Sequence, residues 1–177
     1  MDGLVEFSIP VSGLSDGLHH FDFVAGDAFF SAFEGSPIES GKFRVHVDFE
    51  KRPNMYVLDM EHVGTVRTTC DRCMEMIDLP VAGTFRLLVK FSEEPLPEEA
   101  EVVYVHPGIA RLQIARFIYE AIVLSLPLIN RYDCEADAEA PCNEETLRHL
   151  EGSSEREAIA PPNNPLREAL KNWKKDN

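Results

Sequence analysis

Over residues 42–50 the chain alternates with a period of two. Phe43, Val45, Val47 and Phe49 fall on one side, and Arg44, His46, Asp48 and Glu50 on the other. Successive side chains of an extended backbone point to opposite faces. This stretch therefore has to be a strand with one buried and one wetted face, the situation of antiparallel sheets. Its neighbours support a sheet. Residues 4–11, 19–24, 55–60, 62–69, 77–81, 83–91 and 101–106 are β-prone, with turn chemistry at residues 13–17 and at Arg52-Pro53-Asn54. His19 and His20 fall in the second of these stretches. Adjacent strand residues face opposite sides, so the two cannot easily share a metal, and they are expected to be ordinary surface or edge histidines.

Helical periodicity takes over later in the chain. Ile114, Phe117, Ile118, Ala121, Ile122 and Ser125 fall at helical spacing, and Pro127 stops the run. This predicts one long helix packed on the sheet. Residues 27–33 are expected to form a short helix capped by Asp27, and residues 144–151 another, with Leu147 and Leu150 as packing positions. The expected architecture is α+β: a curved, largely antiparallel sheet or small barrel, one long packing helix, and a short C-terminal helix. The chain divides into a β-rich domain over residues 1–151, a linker rich in Ser, Pro and Asn over 152–164, and a basic helix over 165–177. Asn164 and Pro165 suit that last helix's N-cap and first position. Leu166, Leu170 and Trp173 form its apolar side, with Arg167, Lys171 and Lys174 among its basic residues. Such a helix can reach for a partner or dock back onto the sheet.

The four cysteines fall in two pairs, Cys70/Cys73 and Cys134/Cys142. A CxxC on a tight turn can present two thiolates to one tetrahedral zinc, and two such pairs make a closed structural site. The expectation is a zinc knuckle with Cys70, Cys73, Cys134 and Cys142 as ligands. The alternative makes Cys70 and Cys73 small buried hydrophobes and leaves the second pair, with seven intervening residues and many acids, in a loop. Four thiolates leave no open coordination position, so a catalytic zinc is not expected.

Charge narrows the partners. With 31 acidic against 17 basic residues the formal net charge is −14, which disfavours non-specific coating of RNA and attracts basic proteins. The acidic N-terminus has no apolar run of a secretory signal, and no stretch approaches the roughly 20 apolar residues of a membrane span. A cytoplasmic location, no membrane partner and no small-molecule substrate are expected.

Three motifs then line up in order. They are Cys70-Asp71-Arg72-Cys73 after a strand, Leu124-Ser125-Leu126-Pro127-Leu128 at a helix end, and Asn164-Pro165-Leu166 with Leu170 and trailing lysines. Together the chain resembles the YceD family, the large ribosomal RNA subunit accumulation proteins. Where many relatives carry a histidine shortly after the LxLP proline, this chain has Asn130-Arg131-Tyr132. The resemblance implies a part in accumulating large-subunit ribosomal RNA and in assembly of that subunit, with a subunit precursor (ribosomal protein, rRNA or both) as partner. It implies no catalytic activity. The residues expected to meet a partner are Arg72, Arg167, Lys171, Trp173 and Lys174. Two other classes stand beside this one: a zinc-stabilised protein-binding adapter unconnected with ribosomes, and a CxxC thiol–disulfide oxidoreductase. The second fits less well, because a redox CxxC opens a helix whereas this one joins two strands. No Walker, GxGxxG, HExxH or nucleophile-elbow pattern is present.

Overall fold

The alternating stretch forms a strand from Ser40 to Arg52, with Phe43, Val45, Val47 and Phe49 buried. The computed structural model describes residues 4–94, 97, 101–134 and 141–157. In chain order the strands are β1 (Ser8–Ile9), β2 (Gly17–Ala25), β3 (Ser40–Arg52), β4 (Met55–Thr69), β5 (Met76–Phe91), β6 (Val102–Val105) and β7 (Leu112–Gln113). Strands β2 to β6 make a five-stranded sheet in chain order, antiparallel except for the parallel β5–β6 pair. The sheet is open, so the barrel alternative is not realised. Strands β1 and β7 pair separately as a two-stranded antiparallel piece.

One face of the sheet carries the core. Rings interlock across it: Phe7 lies 4.5 Å from Phe29, Phe30 meets Phe43 edge-on at 5.7 Å, and Phe33 stacks on Tyr119 at 4.0 Å. These contacts seat helix α1 (Asp27–Phe30) and helix α2 (Ala115–Leu124) over the sheet. The other face alternates outward and stays wet. At two places β-strand glycines sit where a side chain has no room. A Cβ on Gly64 would lie 2.7 Å from Phe43 Cα and closer still to the Lys42 carbonyl oxygen, both in the backbone of the neighbouring strand.

Several expectations change in detail. The strand over residues 4–11 shrinks to two paired residues, because Pro10 lacks an N–H and the chain turns into a 3₁₀ segment at Val11–Gly13. The Lys51 ammonium holds that turn by donating to the Val11 and Leu14 carbonyls at 3.0 and 2.7 Å. Asp27 does not cap α1. Gly26 is the N-cap, and the Asp27 carboxylate accepts from the Gly41 N–H at 2.8 Å instead. The packing helix is ten residues, not long, because the β1–β7 pairing keeps the backbone extended through Gln113 and Ile114 N–H donates to the Phe7 carbonyl. The longest described helix is α3 (Glu144–Glu157), fourteen residues. Asn143 Oδ1 accepts the Thr146 N–H at its start, and Glu144 and Glu145 complement the dipole of its first turn. It carries helix past residue 151, the expected end of the domain, into the stretch expected to be linker. The basic segment 165–177 lies outside the described residues. No described helix is long and apolar enough to cross a membrane.

Candidate functional site

The Cys70–Cys73 tip joins the two longest strands of the sheet, β4 and β5. Their ladder runs in register up to Thr69↔Met76, so the tip inherits a fixed direction from the hairpin. The turn is closed by Cys70 N–H donating to the Glu75 carbonyl at 2.8 Å and Met74 N–H donating to the Cys70 carbonyl at 2.9 Å. Met74 takes φ 62°, the left-handed conformation that lets the chain reverse there. Both thiols are free and buried, with Cys70 0% and Cys73 1% exposed. Burial alone pushes the Cys70 pKa up. The backbone groups of Tyr132, Cys73 and Arg72, together with the Cys73 thiol, hydrogen-bond to its sulfur and leave it below the ordinary thiol value.

A second segment lies across this tip. Asp71 N–H donates to the Asn130 carbonyl at 2.8 Å, and Asn130 N–H donates back to Asp71 Oδ2 at 2.7 Å. The Asn130 side chain reaches Thr68 Oγ1 at 3.3 Å. The strap that follows α2 is thereby clasped to the knuckle, and the main chain of Tyr132 arrives at the Cys70 sulfur. Cys134 N–H donates to the Tyr132 carbonyl at 3.1 Å, and half-buried Cys142 packs against the core. The strap thus carries Cys134, two residues beyond Tyr132, toward the knuckle end, yet among the described residues no third ligand atom joins the Cys70 and Cys73 sulfurs within 4.8 Å. The pairing of the cysteines differs from the expected four-ligand set: Cys134 is disulfide-bonded to Cys142, while Cys70 and Cys73 remain thiols.

This end is also apolar on its outside. Met74 is 72% exposed and Leu128 fully so, with Met76 and Ile129 exposed beside them in sequence, and half-buried Arg72 between the cysteines. Of the residues expected to meet a partner, Arg72 sits at this tip. Arg167, Lys171, Trp173 and Lys174 lie outside the described residues.

A second polar feature secures α2 to the sheet. His62 on β4 is 4% exposed, and its Nε2–H donates to Ser125 Oγ at 2.9 Å. The Ser125 hydroxyl donates in turn to the Ala121 carbonyl at 2.8 Å, which fixes the imidazole as the Nε2–H tautomer. Burial lowers the His62 pKa. Ser125 belongs to the LxLP motif, so part of that motif's role here is to close the last turn of α2 onto the sheet. Sequence patterning showed Ser125 only as a point on a helical stripe. The pairing of His62 with it depends on which strand lies beneath the helix end.

Patterning also missed the clasp between Asp71 and Asn130 and a cluster on the open face formed by His20, His46 and Asp48. The CxxC itself was the signal for the first. For the second, the signal was the alternation that put His46 and Asp48 on one face, without the register that brings His20 alongside.

A protein-family model described as "Large ribosomal RNA subunit accumulation protein YceD" matches residues 58–174. This match covers β4 from Leu58 onward, the knuckle, β5, α2 and the clasped strap. No curated protein and no solved structure matches the chain.

Proposed function

The chain belongs to the YceD family, and from that premise we propose that it is a non-enzymatic accessory factor for accumulating large-subunit ribosomal RNA and assembling that subunit. The carrying observation is the family match across residues 58–174, well over half of the chain. Charge supports a basic client. The net charge is −14, and Asp22, Asp48, Asp59 and Glu61 stand together on the open face of β2, β3 and β4. A ribosomal protein, cationic enough to bind rRNA, is drawn to such a face. The knuckle end, with Arg72 set among exposed Met74, Leu128 and Ile129, suits the specific contact, and the basic segment with Arg167, Lys171, Trp173 and Lys174 a second one. The cytoplasm is where that work takes place.

Within the same reading, Cys70 and Cys73 hold half of a structural zinc site, with Cys134 and Cys142 completing it once a cellular dithiol has reduced their disulfide to two thiols. The donor chemistry fits at the knuckle. Backbone N–H groups aimed at a cysteine sulfur stabilise a thiolate, the form that binds zinc. Bound there, the ion would pin the tip and the strap and supply no open coordination position for catalysis.

Depleting the protein from cells tests the main claim. Sucrose gradients are expected to show fewer large subunits and a fall in large-subunit rRNA, rescued by the wild-type chain and poorly by Arg72→Glu. An unchanged gradient and rRNA level on depletion would overturn it. Co-purification of partners unconnected with the ribosome would favour the adapter instead. Elemental analysis of reduced protein tests the metal separately. Zinc content is expected to fall by about one per chain in Cys70→Ser or Cys73→Ser. Metal-free reduced protein removes the zinc and leaves the assembly role standing.

A further inference from the structure

We propose that His20, His46 and Asp48 form a binding site for a divalent first-row transition-metal ion on the open face of the sheet. The register creates the site. His20 on β2 lies directly opposite Asp48 on β3, and His46 stands two residues before Asp48 on the same face. One ligand atom from each of the three lies within 4.8 Å of the other two. His20 Nδ1 is 2.6 Å from Asp48 Oδ1, and His46 Nε2 is 3.1 Å from the same oxygen. The two imidazoles stack at 5.8 Å between centroids, 16° from parallel, so both rings present a nitrogen edge to one point.

The hydrogen bonding of His46 is what points to a cation. Its Nδ1 lies 2.8 Å from Asp22 Oδ1 while its Nε2 faces Asp48. A neutral imidazole carries one N–H. If Nδ1–H donates to Asp22, the Nε2 lone pair faces a carboxylate oxygen, acceptor against acceptor. A metal ion between Nε2 and Asp48 removes that conflict. The Asp22–His46 bond then becomes the carboxylate–histidine–metal arrangement in which an outer carboxylate orients the ligating ring. A second proton on the ring removes the conflict equally well, so the experiment has to separate ion from proton.

The surroundings favour a cation. Across β3 the register sets Asp59 opposite Asp48 and Glu61 opposite His46. Asp59 is held by Arg86 at 2.6 and 2.9 Å, leaving Glu61 as the further negative charge facing the ring. Asp22 and His46 also line an open concavity of about 760 Å³ with Glu61, Val63 and the cation Arg44. Side-chain exposures of 58% for His20, 44% for His46 and 42% for Asp48 let an ion enter without opening the fold. Two imidazole nitrogens with one carboxylate select zinc, cobalt, nickel or copper over magnesium and calcium, and water fills the remaining positions.

The test is a titration of the full chain with Co²⁺ in a non-thiol reductant, followed by calorimetry and by absorption. Expected is a binding event without a thiolate-to-cobalt band in the near ultraviolet, distinguishing it from any ion at Cys70 and Cys73. Paramagnetic broadening should strike the ring protons of His20 and His46 and spare those of His106. His46→Gln and His20→Gln are each expected to weaken binding at least about tenfold, and Asp22→Asn, which only positions the ring, by about tenfold. Because these side chains are exposed, unchanged circular dichroism checks folding in each variant. The proposal is overturned if the thiolate-type event is the only one, if both histidine variants bind as the wild type does, or if Mg²⁺ competes at equal concentration. The first result would leave protonation of the His46 ring as what relieves the conflict, and the last two would mean a diffuse acidic attraction.

Discussion

Replacing Ser125 by alanine removes a single oxygen, and the structure says what that oxygen does. It accepts from buried His62 Nε2–H at 2.9 Å and donates to the Ala121 carbonyl at 2.8 Å, tying the end of α2 to β4. An average hydrogen bond contributes about 1 kcal/mol net, but a buried donor left without a partner costs about 1–3 kcal/mol. His62 is 4% exposed, so water does not replace the hydroxyl easily. Alanine regains at most about 0.5 kcal/mol through helix propensity, and little of that at a C-cap position. The orphaned N–H therefore decides the sign, and Ser125→Ala is expected to lose about 2 kcal/mol. Urea unfolding at pH 7.5 measures it, with the m-value unchanged if the native state stays intact. A double-mutant cycle with His62→Leu assigns the loss to the pair, because the leucine variant has no N–H to orphan. A loss below about 0.5 kcal/mol in Ser125→Ala, or additive effects in the cycle, would refute the reasoning.

Further outcomes follow from other contacts. Burial lowers the folded-state pKa of His62 below its ordinary 6.5, so at higher pH both states are neutral there and its contribution to stability is complete. As pH falls below 6.5 the unfolded chain takes up the proton first, and stability drops by up to about 1.4 kcal/mol per pH unit until the folded pKa is reached. His46 has the opposite sign: donating to the Asp22 carboxylate raises its pKa, so its contribution is present in acid and fades as pH rises. Comparing urea curves of wild type and His62→Gln between pH 7.5 and 5 isolates the buried ring; parallel pH dependence in the two would count against it. Gly64→Ala drives a Cβ into the backbone of β3, which cannot shift alone, and should cost about 3 kcal/mol by thermal or urea unfolding despite alanine's better strand entropy. Asp71→Ala breaks the return bond from Asn130, with an expected loss of about 1 kcal/mol and faster hydrogen exchange at the Asn130 amide; unaltered exchange there would show that the strap holds by other contacts.

How legible all this was depends on whether a feature is local. The buried face of β3 could be read residue by residue, because alternation in one strand needs no knowledge of its neighbours. The position of the CxxC at a hairpin tip followed from two β-prone stretches on either side. Features set by register or docking could not be read that way. His20 was judged against its neighbour His19, while its actual companions arrive from β3. Pro10 and the Lys51 ammonium cut β1 short, and only the fold shows that ammonium reaching back to Val11 and Leu14. The helix over the sheet was expected to be longer because an apolar stripe does not reveal that Leu112 and Gln113 pair in a small second sheet and that Ile114 is only the N-cap. Gly152-Ser153-Ser154 looked like linker by composition, yet Asn143 and the acidic first turn start a helix that passes through them.

The Asp71–Asn130 clasp joins positions 59 residues apart, and everything from β5 to the end of α2 lies inside the loop it closes. Closing so wide a loop early would sacrifice chain entropy before any packing repaid it. The hairpin of β4 and β5, whose partners adjoin in sequence, can zip first; α2 then settles on β5, and the strap can reach the knuckle only afterwards. Clasping the strap to the knuckle thus belongs among the last events of folding. A nascent or damaged chain lacking a seated α2 would present a knuckle without its cover, so the completeness of this one end reports on the state of the whole.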